Sequence, residues 1–585
     1  MALNRREFME LMVAAALSGL GPSLARAANG AADDPYDVPS FGNARVLHFA
    51  DCHAQLMPIY FREPNVNLGV GNAFGKPPHL VGEHLLNHFE IKPGSIEAHA
   101  FTHLNFSAAA QTFGKVGGFA HLATLIKALR GAVAPNASIL LDSGDTWQGS
   151  WTAYQTRGMD MVGASNLLGV DVMTGHWEFT YLAEEVLKNV EAFNGEFVAQ
   201  NVRVTEEALF DGSPAYDEDT GHVFKPYVVK EVGGKRIAIV GQAFPYTPIA
   251  NPGRFIPDWT FGIREAEMSE LVTTIRDEEQ PDALIVLSHN GMDVDLKLAS
   301  RVSGIDAILG GHTHDAVVQA TVVSNPGGKT IVGNAGSNGK YLTVLDLDIG
   351  KGKVNGFQYR LLPIFANLLE ADVEMARYVE SVRAPHMDFI DEALATTDSL
   401  LYRRGNFIGS FDQVICDALR ATNDAQIALS PGFRWGTSLL PGDTIRYENV
   451  LDQTCMTYPE TYARDMTGGD LKLILEDVAD NLFNPDPYRQ QGGDMVRAGG
   501  LRYVLDPNET IGNRITDMQL RDGTPIEATK SYRVAGWATV GAKSPGPPVW
   551  EQVADYLRSS KEIRIDTLES PVVKNADGNP GFVAL

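Results

Sequence analysis

Three cysteines in 585 residues, Cys52, Cys416 and Cys455, are too few for a disulfide framework and leave at least one thiol unpaired. Neither a CxxC pair nor a Cys/His zinc pattern occurs, so any metal must be held by His, Asp, Asn and the like. Basic residues are scarce too: 48 Lys and Arg stand against 73 Asp and Glu, a formal net charge of −25. Nucleic-acid affinity rests on Lys/Arg neutralisation of phosphates, so nucleic acid is not the expected partner. An anionic substrate would need a local basic or metallic focus. The apolar run at 11–20 is about half of the ~20 residues a membrane helix requires, so no membrane span is expected. Internal repeats and low-complexity tracts are lacking as well.

What remains is an ordinary globular composition, 44% hydrophobic and 21% charged, with length for two or three domains. Asn4-Arg5-Arg6-Glu7-Phe8-Met9, the apolar run and Ala25-Arg26-Ala27 together have the form of a twin-arginine export signal over residues 1–27. That predicts a periplasmic protein, carried out folded and compatible with a preloaded metal.

From 43 onward, short apolar runs alternate with amphipathic stretches. Residues 44–50, 138–142, 236–241, 283–287 and 305–309 read as buried strands, and 119–130 and 268–279 as helices. This is the pattern of an α/β sandwich. Residues 366–399 read as a helical connector interrupted near Pro385, and a second α/β domain fills 400–585. Residues 54–112 form an insertion without clear periodicity, rich in Asn, Pro, Gly and His; a loop of that length is more often functional than idle.

Five polar pieces follow predicted strands: Asp51-Cys52-His53, Gly144-Asp145, Gly175-His176, Ser288-His289-Asn290-Gly291 and Gly310-Gly311-His312-Thr313-His314. Open α/β sheets collect ligands beyond their strand ends. Asp-x-His and His-x-His at strand termini each let two side chains point one way and grip one ion, and a lone Asp145 between them can bridge two ions. Two such ions make a clamp for displacement at phosphorus or sulfur. A single histidine after a strand would be read as a core or surface residue; five spaced elements together point to a dinuclear centre. His48, His79, His84, His88, His99, His103, His121 and His222 lack such a frame and are read as structural. Cys52, between two ligands, is read as a small core residue.

The order of these pieces resembles the calcineurin-like metallophosphoesterases, and more narrowly the exported 5′-nucleotidase family. Residues 408–420 and 427–435 are similar to that family's C-terminal segments. The resemblance implies a four-layer α/β/β/α sandwich over 43–365 with an α/β substrate-binding domain at the C-terminus. It implies Asp51, His53, Asp145 and His314 around one ion and Asp145, His176, His289 and His312 around the other. Where the family writes Gly-Asn-His-Glu-Phe, this chain has Gly175-His176-Trp177-Glu178-Phe179. A histidine fills the ligand slot, and tryptophan replaces the catalytic histidine.

That exchange, with the stretches 51–64 and 175–181, is similar to one branch of the family, the thiosulfohydrolases of the periplasmic sulfur-oxidation (Sox) system. The branch implies two Mn²⁺ ions, with Zn²⁺ or Fe²⁺ also fitting the donors. It implies a hydroxide, activated by the metals, attacking a sulfonate carried on a cysteine of the SoxYZ carrier protein, with sulfate released; other Sox components are possible partners. Phosphate esters expel a poor alkoxide leaving group that needs acid assistance. A persulfide is more acidic than a thiol, whose pKa is about 8.5, and leaves with little help. Tryptophan is then permitted, and Trp177 either walls a slot for a narrow arm or packs in the core. Arg434 matches the family's substrate-binding arginine and pairs either with sulfonate oxygens or with an interdomain carboxylate. The alternatives are a periplasmic 5′-nucleotidase or 2′,3′-cyclic phosphodiesterase, with Tyr458 and Tyr462 as weak base clamps, and a non-enzymatic docking scaffold.

Overall fold

The computed structural model describes residues 35–583 apart from Asn65; the proposed export signal, 1–27, lies outside them. Two six-stranded sheets form the first domain. One runs in the order Val354–Pro363, Tyr341–Ile349, Ala44–Phe49, Ser138–Asp142, Val172–Met173, Glu196–Phe197, and the other Thr321–Asn325, Gly328–Asn334, Ala307–Gly310, Ala283–Ser288, Lys235–Gln242, Tyr227–Val232. The first sheet is parallel from Ala44–Phe49 to its edge at Glu196–Phe197 and antiparallel at the other edge, whereas the second has parallel central strands and an antiparallel strand at each edge.

Side-chain alternation along these strands builds the layers. Val46, Ile139 and Leu141 of the first sheet meet Ile239, Ile285 and Leu309 of the second in one buried cluster between the sheets. The intervening residues point outward. Leu47, Phe49 and Leu140 pack under the helix Phe119–Gly131, through Leu122, Ile126 and Leu129. Val240, Leu284, Val286 and Ile308 pack under Glu265–Glu278 and Met292–Arg301, where Met268, Val272 and Ile275 recur at helical spacing. The result is the expected four-layer α/β/β/α sandwich, whose parallel strands end along one rim.

In the second domain a four-stranded sheet, Thr461–Thr467, Ser531–Trp537, Ile427–Ser430, Arg497–Gly499, lies between Ser410–Asn423 with Val549–Ser560 on one face and Gly468–Phe483 on the other. Two of the expected boundaries shift. The connector is helical only as Val373–Arg383, a 3₁₀ turn at Pro385 and Met387–Ile390. Residues Ala393–Thr397 are instead a strand paired with Thr444–Arg446 and Glu562–Ile563, because the β-branched pair Thr396-Thr397 docks on the second domain. The insertion is not structureless either. It carries the helices Gly82–His88, Ile96–Phe101 and Phe106–Phe113, each too short to give a clear period.

Candidate metal centre

Every ligating candidate lies one to four residues beyond a strand of the rim: after Phe49, Asp142, Met173, Ser288 and Gly310. Strand alternation is not what makes them converge. Asp51, His53, Asp145, His312 and His314 all have left-handed backbones, with φ of 53°, 45°, 59°, 74° and 59°. Each such non-glycine residue costs about 1 kcal/mol or more, and such strain persists where surroundings over-determine it. Here the loops hold one another: Asp51 N–H donates to Gly144 O (2.8 Å), His53 N–H to Asp145 O (2.7 Å) and Asn338 N–H to Asp51 O (2.8 Å).

All seven predicted ligands meet, in two groups: Asp145, His176, His289, His312 and Asp51, His53, Asp145, His314, with candidate donor atoms in each group within 4.8 Å of one another. All seven are buried. Asp145 is the common member. Its Oδ1 accepts the Trp177 N–H (2.6 Å), leaving Oδ2 3.1 Å from His289 Nε2, 3.3 Å from His176 Nδ1 and 3.7 Å from His53 Nε2. Across the other group, His53 Nε2 and His314 Nε2 are 3.0 Å apart and Asp51 Oδ1 is 3.3 Å from the latter. His289 Nδ1–H donates to Ser143 O (2.6 Å), which fixes the tautomer and leaves Nε2 facing Asp145. Gly311 is required by this crowding: a Cβ there would lie 2.9 Å from Asp51 Oδ2 and 3.0 Å from His289 Nδ1.

The electrostatics match a cation site. Burial pushes His53 down to about 4 and holds His312 and His314 well below the usual histidine range, so these rings are neutral donors. Burial also opposes charge on His289, yet Asp145 and Asp51 outweigh it and lift that ring to about 10. Against the same burial, His176 and His289 hold Asp145 ionised, whereas burial dominates at Asp51 and raises it. The His176 and His312 Nε2 atoms are buried without a hydrogen-bond partner. Unpaired buried acceptors are costly, and a divalent ion would satisfy them. The donor set therefore fits a dinuclear divalent metal centre.

The second domain closes over this rim and leaves a cavity of about 780 Å³ running from His53, His176, His312 and His314 outward past Arg434 and Tyr462. Aromatic rings line its deep end. Trp435 stacks on His53 (5.0 Å between ring centres), and Phe433 stacks on Trp435 (4.3 Å). Phe244, fully buried and not part of the cavity lining, lies 4.1 Å from both His176 and His312. Trp177 packs edge-on to Phe433 and Trp435 and parallel to Tyr458. It is thus both a core residue and a wall of the cavity. Tyr458 is buried against it and is not free to clamp a base.

Arg434 lines the cavity, donating to Asp494 Oδ1 (3.2 Å), His312 O (3.1 Å) and Gly493 O (3.1 Å). Three of its five N–H groups are thus engaged by protein, one with a carboxylate of its own domain and one with a first-domain carbonyl, and two are not so engaged. The other histidines lie outside the two groups: His48 Nε2 meets Ser143 Oγ (2.7 Å), His103 stacks on Phe106, and His84 and His88 are exposed. His79 forms a part-buried ion pair with Asp293 (3.0 Å) that ties the insertion to the helix Met292–Arg301.

Several site residues escape sequence reasoning. Phe244 comes from a segment with no ligand motif, and Phe433 and Trp435 flank Arg434 in the family-like segment 427–435, where only the arginine carries a recognisable role. Gly492 lies so close that a Cβ on it would be 2.0 Å from His312 Nε2, although its neighbours Gln491 and Gly493 give no hint of this. Glu178 is visible in the sequence only as part of the Gly-x-x-Glu-Phe frame.

Comparison with known proteins agrees with this architecture. The calcineurin-like phosphoesterase family matches residues 44–316, and the 5′-nucleotidase C-terminal domain family matches 396–547. Among solved structures, the sulfate thiohydrolase SoxB of Thermus thermophilus is 34% identical, with a TM-score of 0.85 over 92% of this chain and 98% of that one. A 5′-nucleotidase precursor from the same species shares the fold at 23% identity, with a TM-score of 0.70 over 91% of this chain and 99% of that one. Curated relatives include the trifunctional nucleotide phosphoesterase YfkN of Bacillus subtilis, 28% identical over 72% of this chain, although the chain spans only 30% of that protein's length. Another is the snake venom 5′-nucleotidase of Naja atra, 24% identical over 72% of this chain and 83% of that protein. The chain belongs, with SoxB and the 5′-nucleotidases, to the two-domain calcineurin-like phosphoesterases, and it is a hydrolase of that family.

Proposed function

We propose that this hydrolase releases sulfate from a cysteine S-thiosulfonate carried on SoxYZ, in the periplasm to which residues 1–27 would direct it. The observation that supports the reading most is Trp177, wedged between the metal ligands and the rings of Phe433, Trp435 and Tyr458. An indole cannot deliver a proton to a departing alkoxide as an imidazole can. The reaction adds water oxygen to the sulfonate sulfur and breaks the sulfur–sulfur bond, whose electron pair leaves on the carrier persulfide. That leaving group needs no acid.

The ligands would be Asp51, His53, Asp145 and His314 for one ion and Asp145, His176, His289 and His312 for the other. Mn²⁺ is proposed for both, and Zn²⁺ or Fe²⁺ would also suit nitrogen and oxygen donors. When bound, such a pair supplies an activated water and neutralises anionic charge. The protein does the rest. Arg434 offers two free N–H groups to sulfonate oxygens, the aromatic wall orients a narrow arm, and the second domain restricts water.

The rival reading, a 5′-nucleotidase or 2′,3′-cyclic phosphodiesterase, draws on the curated relatives. Incubating metal-loaded protein with thiosulfonated carrier and, separately, with AMP decides between them. Sulfate from the carrier without phosphate from AMP is expected; phosphate at an enzymatic rate without sulfate would reverse the assignment.

A further inference from the structure

Glu178 is fully buried, and no cation pairs with it among the described residues. A carboxylate in that position should be strongly disfavoured. Its oxygens instead accept four backbone N–H groups from two different loops. Oε1 takes Thr146 (2.7 Å) and Trp147 (3.1 Å); Oε2 takes His176 (2.9 Å) and Asp145 (3.2 Å). Asp145, Thr146 and Trp147 belong to the loop after Ser138–Asp142, and His176 to the loop after Val172–Met173. One carboxylate thus staples together the two loops that carry the shared ligand and its neighbour.

The surroundings are built around this staple. A Cβ on Gly175 would sit 3.2 Å from Glu178 Oε2 and 2.9 Å from Phe197 Cζ, so the loop has no side chain where the carboxylate must pass. Asp145 is one of the strained left-handed residues, φ 59°, and its own N–H is one of the four donors. His176 also has an irregular backbone, φ −151° and ψ −77°. The first loop is also tied to its strand, where Gly144 N–H and Thr146 Oγ1–H donate to Asp142 Oδ1 (2.9 and 3.0 Å), and Trp177 N–H joins the two loops through Asp145 Oδ1; Glu178 alone binds the backbone of Asp145 and of His176 together.

We propose that Glu178 is a positioning residue that sets the spacing of Asp145 and His176 and so determines whether the second metal ion is held. The proposal rests on the dinuclear reading of the centre. The group Asp145, His176, His289, His312 has two ligands pinned by Glu178; the group Asp51, His53, Asp145, His314 has only one. Loss of the staple should therefore weaken the second ion selectively. Removing an outer-shell partner of a metal ligand commonly lowers affinity about 10–100-fold.

The discriminating variant is Glu178→Gln. It has the same shape, but its amide nitrogen is a donor and would face two N–H donors where Oε2 accepts two. Metal-free wild type and variant are titrated with Mn²⁺, and binding is followed by calorimetry and by electron paramagnetic resonance. Wild type should take two equivalents and show the signal of an exchange-coupled pair. The variant should melt close to wild type without metal and bind one equivalent with affinity within a few-fold of wild type. It should bind the second about 10–100-fold more weakly, with an isolated six-line signal at low loading. Two equivalents with unchanged affinities and a coupled signal in the variant would overturn the proposal. Equal weakening of both ions would overturn it too. Wild type that fails to take two ions would instead refute the dinuclear reading itself. Should Glu178→Gln not fold, Glu178→Asp, which keeps the charge but withdraws it by one methylene, is read in the same titration, and an unperturbed second ion there is equally fatal.

Discussion

Replacing Trp177 by histidine tests why this centre differs from a nucleotidase. The indole is 6% exposed and touches Phe433, Trp435 and Tyr458. Aromatic pairs contribute about 0.5–1.5 kcal/mol each beyond their buried area, so Trp177→His should destabilise the domain interface by about 2–4 kcal/mol. The backbone is expected to hold, because Trp177 N–H bonds to Asp145 and Thr180 Oγ1–H to Trp177 O, neither through the ring. A positioned imidazole contributes about 10²–10⁴-fold to expulsion of a poor leaving group. Phosphate release from AMP should rise by up to that factor, while sulfate release from the thiosulfonated carrier, which needs no acid, stays within a few-fold. The assay is parallel phosphate and sulfate release by protein with verified metal content. A folded, metal-loaded variant with unchanged AMP hydrolysis and unchanged carrier turnover would refute the leaving-group argument.

Other perturbations follow from the same geometry. Gly492→Ala places a Cβ 2.0 Å from His312 Nε2 on a backbone at φ +83°; overpacking of about 1–3 kcal/mol should displace that ligand and reduce bound metal, measured by elemental analysis. Arg434→Lys keeps the charge but cannot reach Asp494, His312 O and Gly493 O together, so the KM for the sulfonate should rise about tenfold with a smaller change in kcat. His79 is disfavoured by burial but lifted by Asp293 from 6.5 to about 9. Because the folded value lies above the unfolded one, its contribution, of order 3 kcal/mol, is complete below about pH 6.5 and is lost as pH rises through about 9. Hydrogen exchange in residues 66–88 should therefore accelerate between about pH 7 and 10 beyond its intrinsic pH dependence, and this extra acceleration should be absent in His79→Gln.

The ligands are legible in sequence because each follows a hydrophobic strand and most stand beside Gly or Ser, as with Ser288-His289 and Gly310-Gly311-His312. The strands themselves are legible because successive residues such as Val46 and Leu47 are apolar, as burial on both faces demands. How the ligands turn inward is not. A left-handed backbone at Asp51 or His314 has no residue signature, since it is enforced by long-range bonds such as His53 N–H to Asp145 O. The short helices of the insertion and the strand Ala393–Thr397 are hidden for the same reason: each is stabilised by tertiary contact rather than by its own periodicity. Glu178 stands in a recognisable frame, yet its four donors lie on two loops, and only the folded chain brings them to one carboxylate.

The most direct test of the whole account is anomalous scattering from crystals grown with Mn²⁺. Two peaks are predicted, one among Asp51, His53, Asp145 and His314 and one among Asp145, His176, His289 and His312, with Asp145 touching both. A single peak, or none at this cluster in catalytically active protein, would contradict it.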